Sequence, residues 1–155
     1  MEIERKFVLE APPDGLDDHP HARIEQGYVA LDANGTEVRV RKKGDARTLT
    51  IKSGAGLKRT ENERALDGQD FDDLWPLTEG RRVTKTRFDV ALGDDLTAEV
   101  DVYDGALEGL VTAEVEFPDE PAAEAFRPPG WLGEEVTGDK RYANRTLATD
   151  GVPSR

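Results

Sequence analysis

The chain has 155 residues, a net charge of -12 and no cysteine. That length suggests one domain or at most two, and the missing cysteine excludes a disulfide scaffold or a thiolate metal centre. The acid excess opposes binding to nucleic acid or anionic membrane, and no run is long and apolar enough to span a bilayer or to read as a signal peptide. A soluble cytoplasmic protein is the expectation.

The first predicted strand is Glu2 to Leu9. Successive side chains of a strand point to opposite faces, so Glu2, Glu4 and Lys6 share one face and Ile3, Arg5 and Phe7 the other. A loop rich in proline, glycine and aspartate follows, and it holds the only two histidines, His19 and His21. With no third histidine or cysteine they read as solvated loop residues rather than metal ligands. A second extended run covers Arg23 to Leu31, and Asp32-Ala33-Asn34-Gly35 carries the Asn-Gly signal of a hairpin turn.

Strict alternation then predicts strands over Glu37 to Lys42 and Arg47 to Lys52. A turn at Gly54-Ala55-Gly56 leads into a fifth run, Lys58 to Leu66. Asp67 is a helix N-cap candidate, and Phe71, Leu74 and Trp75 recur at helical spacing up to about Leu77. Strands follow over Arg82 to Val90, Leu96 to Tyr103 and Leu110 to Phe117. Asp119 and Asp139 cap two further short helices, ending near Phe126 and Ala148, and 149–155 reads as a tail. The expected class is mainly β (α+β). The architecture is one eight-stranded antiparallel barrel over 1–148, with a few short helices.

Aligned by parity, one face of these strands carries charge in like pairs: Glu2 and Glu4; Arg39 and Arg41; Glu61 and Glu63; Lys85 and Arg87; Glu99 and Asp101; Glu114 and Glu116. Lys52 follows Thr48 and Thr50 on the same parity. Residues i and i+2 of a strand sit about 7 Å apart. Two like charges at that spacing repel by roughly 2 kcal/mol at an effective dielectric near 20. A solvated face normally intermixes signs, so six like-charged pairs need a ligand that carries both signs. Carboxylates without histidine or cysteine suit hard cations such as Mg²⁺, Mn²⁺ or Ca²⁺. Arginine pairs match phosphate oxygens, and lysine adds point charge. A multi-phosphate anion with divalent metal uses every group. The charged face would then line the interior of the barrel, with Phe71, Leu74, Trp75, Phe126, Trp131 and Leu147 packing outside it.

Glu2-Ile3-Glu4-Arg5-Lys6 resembles the ExExK signature of the CYTH superfamily, the triphosphate tunnel metalloenzymes. The likeness continues in order through Gln26-Gly27-Tyr28, Arg39-Val40-Arg41, Thr50-Ile51-Lys52, Lys85-Thr86-Arg87, Glu99-Val100-Asp101, Ala113-Glu114-Val115-Glu116 and Glu135-Val136-Thr137-Gly138-Asp139. The resemblance implies a tunnel that binds a small-molecule triphosphate with Mg²⁺ or Mn²⁺. It places Glu2, Glu4, Glu114 and Glu116 among the metal ligands, and Lys6, Arg39, Arg41, Lys52, Lys85 and Arg87 on phosphate. Glu61, Glu63, Glu99 and Asp101 would hold a second cation or orient the basic residues. Tyr28, Lys85 and Lys6 are the catalytic candidates. Tyr28 would accept a proton or order the attacking water if the basic cluster lowered its pKa.

Compact members of the superfamily are mostly inorganic triphosphatases, so hydrolysis of inorganic triphosphate to pyrophosphate and phosphate is the expected activity. The alternatives are a class IV-type adenylate cyclase, a thiamine or nucleoside triphosphatase, and a non-catalytic polyphosphate-binding module. A homodimer is compatible with this reading.

Overall fold

The computed structural model describes residues 2–54 and 60–154. The turn expected at residues 54–56 and the first residues of the fifth run therefore lie partly outside the described chain. Alternation becomes strands where it was expected: β1 Ile3–Leu9, β2 His21–Leu31, β3 Glu37–Lys43, β4 Ala46–Ser53, β5 Thr60–Ala65, β6 Arg82–Gly93, β7 Leu96–Asp104 and β8 Val111–Phe117. The Asn-Gly turn closes as read: Gly35 takes φ 96° and its N–H donates to the Asp32 carbonyl at 3.0 Å.

The helices are short. In α1, Gly68–Leu74, the Asp67 carboxylate accepts from the Asp70 N–H at 2.8 Å. In α2, Glu120–Ala125, Asp119 does the same for Ala122. Asp139 caps only a 3₁₀ turn, Lys140–Tyr142, and α3 runs separately over Asn144–Asp150. No helix among the described residues is long and apolar enough to cross a membrane.

All strands lie in one antiparallel sheet of order β5-β4-β3-β2-β6-β7-β8-β1-β9. Two features correct the expected closed barrel of eight strands. There is a ninth strand, β9, Glu134–Glu135, which pairs with Phe7 and Val8 of β1. The sheet is also not closed by hydrogen bonds among the described residues, because β5 and β9 are its two edges. β9 is only two residues long, too short for its own alternation to announce it, and it occupies the edge of β1 that a closing strand would need.

The inverted packing is present on most of the sheet. Phe7, Leu9, Phe88, Val100, Ala113, Val115 and Phe117 form one core on the uncharged face, covered by Phe126 and Trp131. The rings of Phe117 and Phe126 lie 5.2 Å apart. Near β2 the cover is a 3₁₀ turn, Trp75–Thr78, and Phe71 stacks on Trp75 at 5.4 Å. This turn comes so close that a Cβ on Gly27 would sit 2.5 Å from Thr78 Cβ. Gly27→Ala is therefore expected to destabilise the protein by about 1–3 kcal/mol. Thr78→Gly should restore most of the loss in thermal melts, and an unshifted melting temperature in the single variant would refute the close approach.

Leu147 is not outside. It joins Val8, Tyr28, Val83, Tyr103 and Tyr142 in a second core. Val8, Tyr28, Val83 and Tyr103 share the face that carries the charges, as the strand register shows. The inner face thus turns apolar at one end, and α3 folds inward to bury that end instead of covering the outside.

Candidate functional site

The register brings the expected charges onto one face. Glu4 lies opposite Glu116 and Lys6 opposite Glu114. Glu114 lies opposite Glu99, and Asp101 opposite Arg87. Beyond β2, Gln26 pairs with Arg41 and Tyr28 with Arg39. Thr50 pairs with Glu63 and Lys52 with Glu61. Each position follows from two-residue periodicity, and a slip of one residue would send the whole set to the apolar side.

At the centre is a buried ionic triad. Asp101 accepts from Lys85 Nζ at 2.8 Å, from Arg87 Nε at 2.8 Å and from Arg87 Nη2 at 3.0 Å. Lys85 and Asp101 are each 3% exposed. Lys85 Nζ also lies 5.2 Å from the centre of the Tyr103 ring, a favourable cation–π placement. Burial pulls the Lys85 ammonium below its usual range, and Asp101 only partly offsets it. Burial would raise the Asp101 carboxyl, but Lys85 and Arg87 together hold it below the ordinary value. One carboxylate thus serves two cations, and the triad carries a net positive charge.

Two further cations extend it. Burial, then Arg87 and Arg39, depress the Arg41 guanidinium, against weaker support from Asp101 and Glu63. Nε of Arg39 and Nε of Arg41 are both buried without a hydrogen-bond partner. Glu37, 3% exposed, reaches Arg39 Nη1 only at 3.8 Å. Buried donors normally find partners, so unmet donors on crowded cations mark a place for an anion with many oxygens. Lys6 reaches the same region from β1: its Nζ donates to the Tyr142 carbonyl at 2.7 Å and lies 3.4 Å from Glu114 Oε1.

The carboxylates gather on the other side. The Glu4 carboxyl is pushed up to about 7 by burial, by the charge and hydrogen bond of Glu114 and by Glu2, with Lys6 opposing. Among the described residues no three acidic side chains form a ready-made cation cage. The all-oxygen set and the crowding of Glu4 on Glu114 nevertheless fit a hard divalent ion, which would relieve that repulsion. Glu116 is exposed opposite Glu4. Glu61 and Glu63 are exposed on β5, where Thr50 Oγ1 donates to Glu63 at 3.4 Å.

Tyr28 departs from the expectation placed on it. Burial, then the charge of Glu37, push its phenol up to about 12, against the smaller lowering effects of Gln26 and Arg39. Its oxygen accepts from Gln26 Nε2 at 2.8 Å. A phenol so held keeps its proton at neutral pH, so the fall in pKa that proton acceptance requires is absent. Its own O–H remains available as a donor.

Two contributors were missed in the sequence. Glu37 shares the parity of Arg39 and Arg41 and was visible on that ground. The Tyr142 carbonyl that holds Lys6 carries no side-chain signature and was not. His21 is exposed as expected but opens β2 instead of lying in the loop, its ring 5.1 Å from that of Phe88.

The chain matches no protein-family model. It is 49% identical over 148 residues to an inorganic triphosphatase of Nitrosomonas europaea, covering 95% of this chain and 96% of that one. An inorganic triphosphatase of Acetivibrio thermocellus is 38% identical over 149 residues, covering 94% and 92%. The crystal structure of the inorganic triphosphatase NE1496 superposes with a TM-score of 0.84 at 44% identity, over 99% of this chain and 97% of that one. A Hippeastrum adenylyl cyclase-like protein with a dominant triphosphatase activity shares the fold alone, with a TM-score of 0.56 at 16% identity over 80% and 83%.

Proposed function

The chain belongs to the inorganic triphosphatases of the triphosphate tunnel (CYTH) superfamily, and from that premise we propose that it hydrolyses inorganic triphosphate to pyrophosphate and phosphate on its charged inner face. It is a hydrolase. The observation that carries the substrate class is the excess of cations: Lys85, Arg87, Arg41 and Arg39 stand against two buried carboxylates, Asp101 and Glu37, and Nε of Arg39 and Nε of Arg41 lack partners.

Phosphoryl transfer depends mostly on positioning and on neutralising charge spread over the transferred group. Arg39 and Arg41 offer unmet N–H donors to phosphate oxygens. Arg87 is locked by Asp101, and its remaining nitrogen, Nη1, reaches Glu99 at 3.4 Å. Lys85 and Lys6 add positive charge from below and from β1. Water attacks the terminal phosphorus in line, the bond to the bridging oxygen breaks, and pyrophosphate leaves with the electron pair of that bond. Tyr28, protonated, supplies a hydrogen bond rather than a base.

Glu2, Glu4, Glu114 and Glu116 are the residues that would hold Mg²⁺ or Mn²⁺. Such an ion supplies charge neutralisation and a more acidic water. Chelation should then lower phosphate release by about two orders of magnitude or more, with activity returning when either metal is restored. Unchanged release in excess chelator would remove the metal from this reading. Product analysis with ATP separates hydrolysis from cyclisation: cyclic AMP as the main product would overturn the hydrolytic assignment.

A further inference from the structure

The inner face is graded along the strands. Reading alternate residues from the end nearest the β6–β7 turn, β6 runs Asp89, Arg87, Lys85, Val83 and β7 runs Glu99, Asp101, Tyr103. In the same direction β8 runs Glu116, Glu114, Thr112 and β1 runs Glu4, Lys6, Val8. All four strands pass from carboxylate, through the ionic zone, to residues at or beside the second core. That far end is sealed: Val8, Tyr28, Val83 and Tyr103 pack under Tyr142 and Leu147. The near end opens into a cavity of about 440 Å³ lined by Asp89, Asp95, Thr97, Glu99 and Glu116.

The cationic zone is short. Arg87 to Lys85 on β6, and Arg41 to Arg39 on β3, each span one two-residue step of about 7 Å, comparable with three linked phosphoryl groups. A fourth group cannot extend past the aromatic and aliphatic seal. Emerging at the open end, past the carboxylates that would hold the metal, it meets Asp89 and Asp95, and neither has an ion-pair partner among the described residues.

We propose that Asp89 and Asp95 are specificity-determining residues that limit the substrate to three phosphoryl groups, by placing unpaired negative charge where a fourth would emerge. The inference rests on the triphosphatase reading and adds a chain-length limit to it. Neither residue contacts the cationic zone, so their effect falls on longer chains and not on triphosphate.

The test compares linear tetraphosphate with triphosphate, in Mg²⁺, for the wild-type protein and the Asp89→Asn/Asp95→Asn double variant. Asparagine suits position 95, whose φ is 60°, because its side chain tolerates the left-handed region. Triphosphate turnover should stay within about twofold, whereas kcat/KM for tetraphosphate should rise about fivefold or more at low salt, a gain that shrinks at high salt as the rim charges are screened. The ratio of the two binding constants, from calorimetry, should shift in the same direction. An unchanged tetraphosphate-to-triphosphate ratio, in turnover and in binding, would overturn the inference. A wild-type protein that binds both chains but releases no phosphate would overturn the triphosphatase reading instead, and the calorimetric ratio would still decide the role of the rim.

Discussion

Replacing Arg41 with alanine is expected to lower kcat/KM on inorganic triphosphate by about two to three orders of magnitude, the usual cost of deleting one preorganised donor at a site of developing charge, while the melting temperature stays level or rises. The two halves of this result share a cause. Arg41 is half-buried beside Arg87 and Arg39, its buried Nε has no partner, and its guanidinium is held below its ordinary pKa by burial and by those neighbours. Without ligand, folding bears the desolvation and the repulsion; with ligand, the same features become binding. Functional sites commonly carry such a cost to stability. Steady-state kinetics beside thermal melts check it. A variant that loses several degrees of melting temperature would show that Arg41 is held by favourable contacts in the free protein.

Asp101→Asn should behave in the opposite way. The carboxylate is 3% exposed and holds Lys85 and Arg87 on both its oxygens. Removing one partner of a buried ionic group leaves the others uncompensated, at a cost of about 3–5 kcal/mol. For a chain of this size that corresponds to a fall in melting temperature of roughly 10 °C, together with loss of activity as Lys85 and Arg87 lose their positions. Adding Lys85→Met to Asp101→Asn should recover much of the stability and none of the activity. An unchanged melting temperature for Asp101→Asn would show that the triad contributes nothing to folding. The same group predicts acid sensitivity. Its folded pKa lies below the ordinary 3.8. Its contribution is therefore complete above that value and is lost as pH falls through the folded pKa.

Strand periodicity carried most of the charged face. Glu4, Lys6, Arg39, Arg41, Lys85, Arg87, Glu99, Asp101 and Glu114 sit where two-residue alternation puts them, because register in a sheet with one buried face admits no slip. The ends of the face were not legible. Val8, Val83 and Tyr103 continue the parity of the charges but are apolar, and parity alone does not say whether such residues end a tunnel or belong to a core. Leu147 was placed outside for the same reason: an amphipathic turn shows that it needs a partner, not which side of the sheet provides it. The lowered pKa on which the Tyr28 reading was conditional is not found, because its basic neighbours were visible in the sequence whereas its burial and the approach of Glu37 were not. β9 escaped notice because two residues carry no period.

The pairing of β1 with β8 has a consequence for how the molecule condenses. Glu4 meets Glu116, and Phe7 meets Glu135 of β9, across more than two thirds of the chain. Contacts of such sequence separation form slowly, since loop closure precedes any reward. The β2–β3–β4 meander and the β6–β7–β8 meander can each form locally, but the acidic cluster of β1 and β8 exists only after the first strand docks against them. A ligand that bridged those carboxylates to the arginines of β3 would tie the docked first strand to the β2–β3–β4 meander and so oppose the fluctuations that undo this long-range pairing.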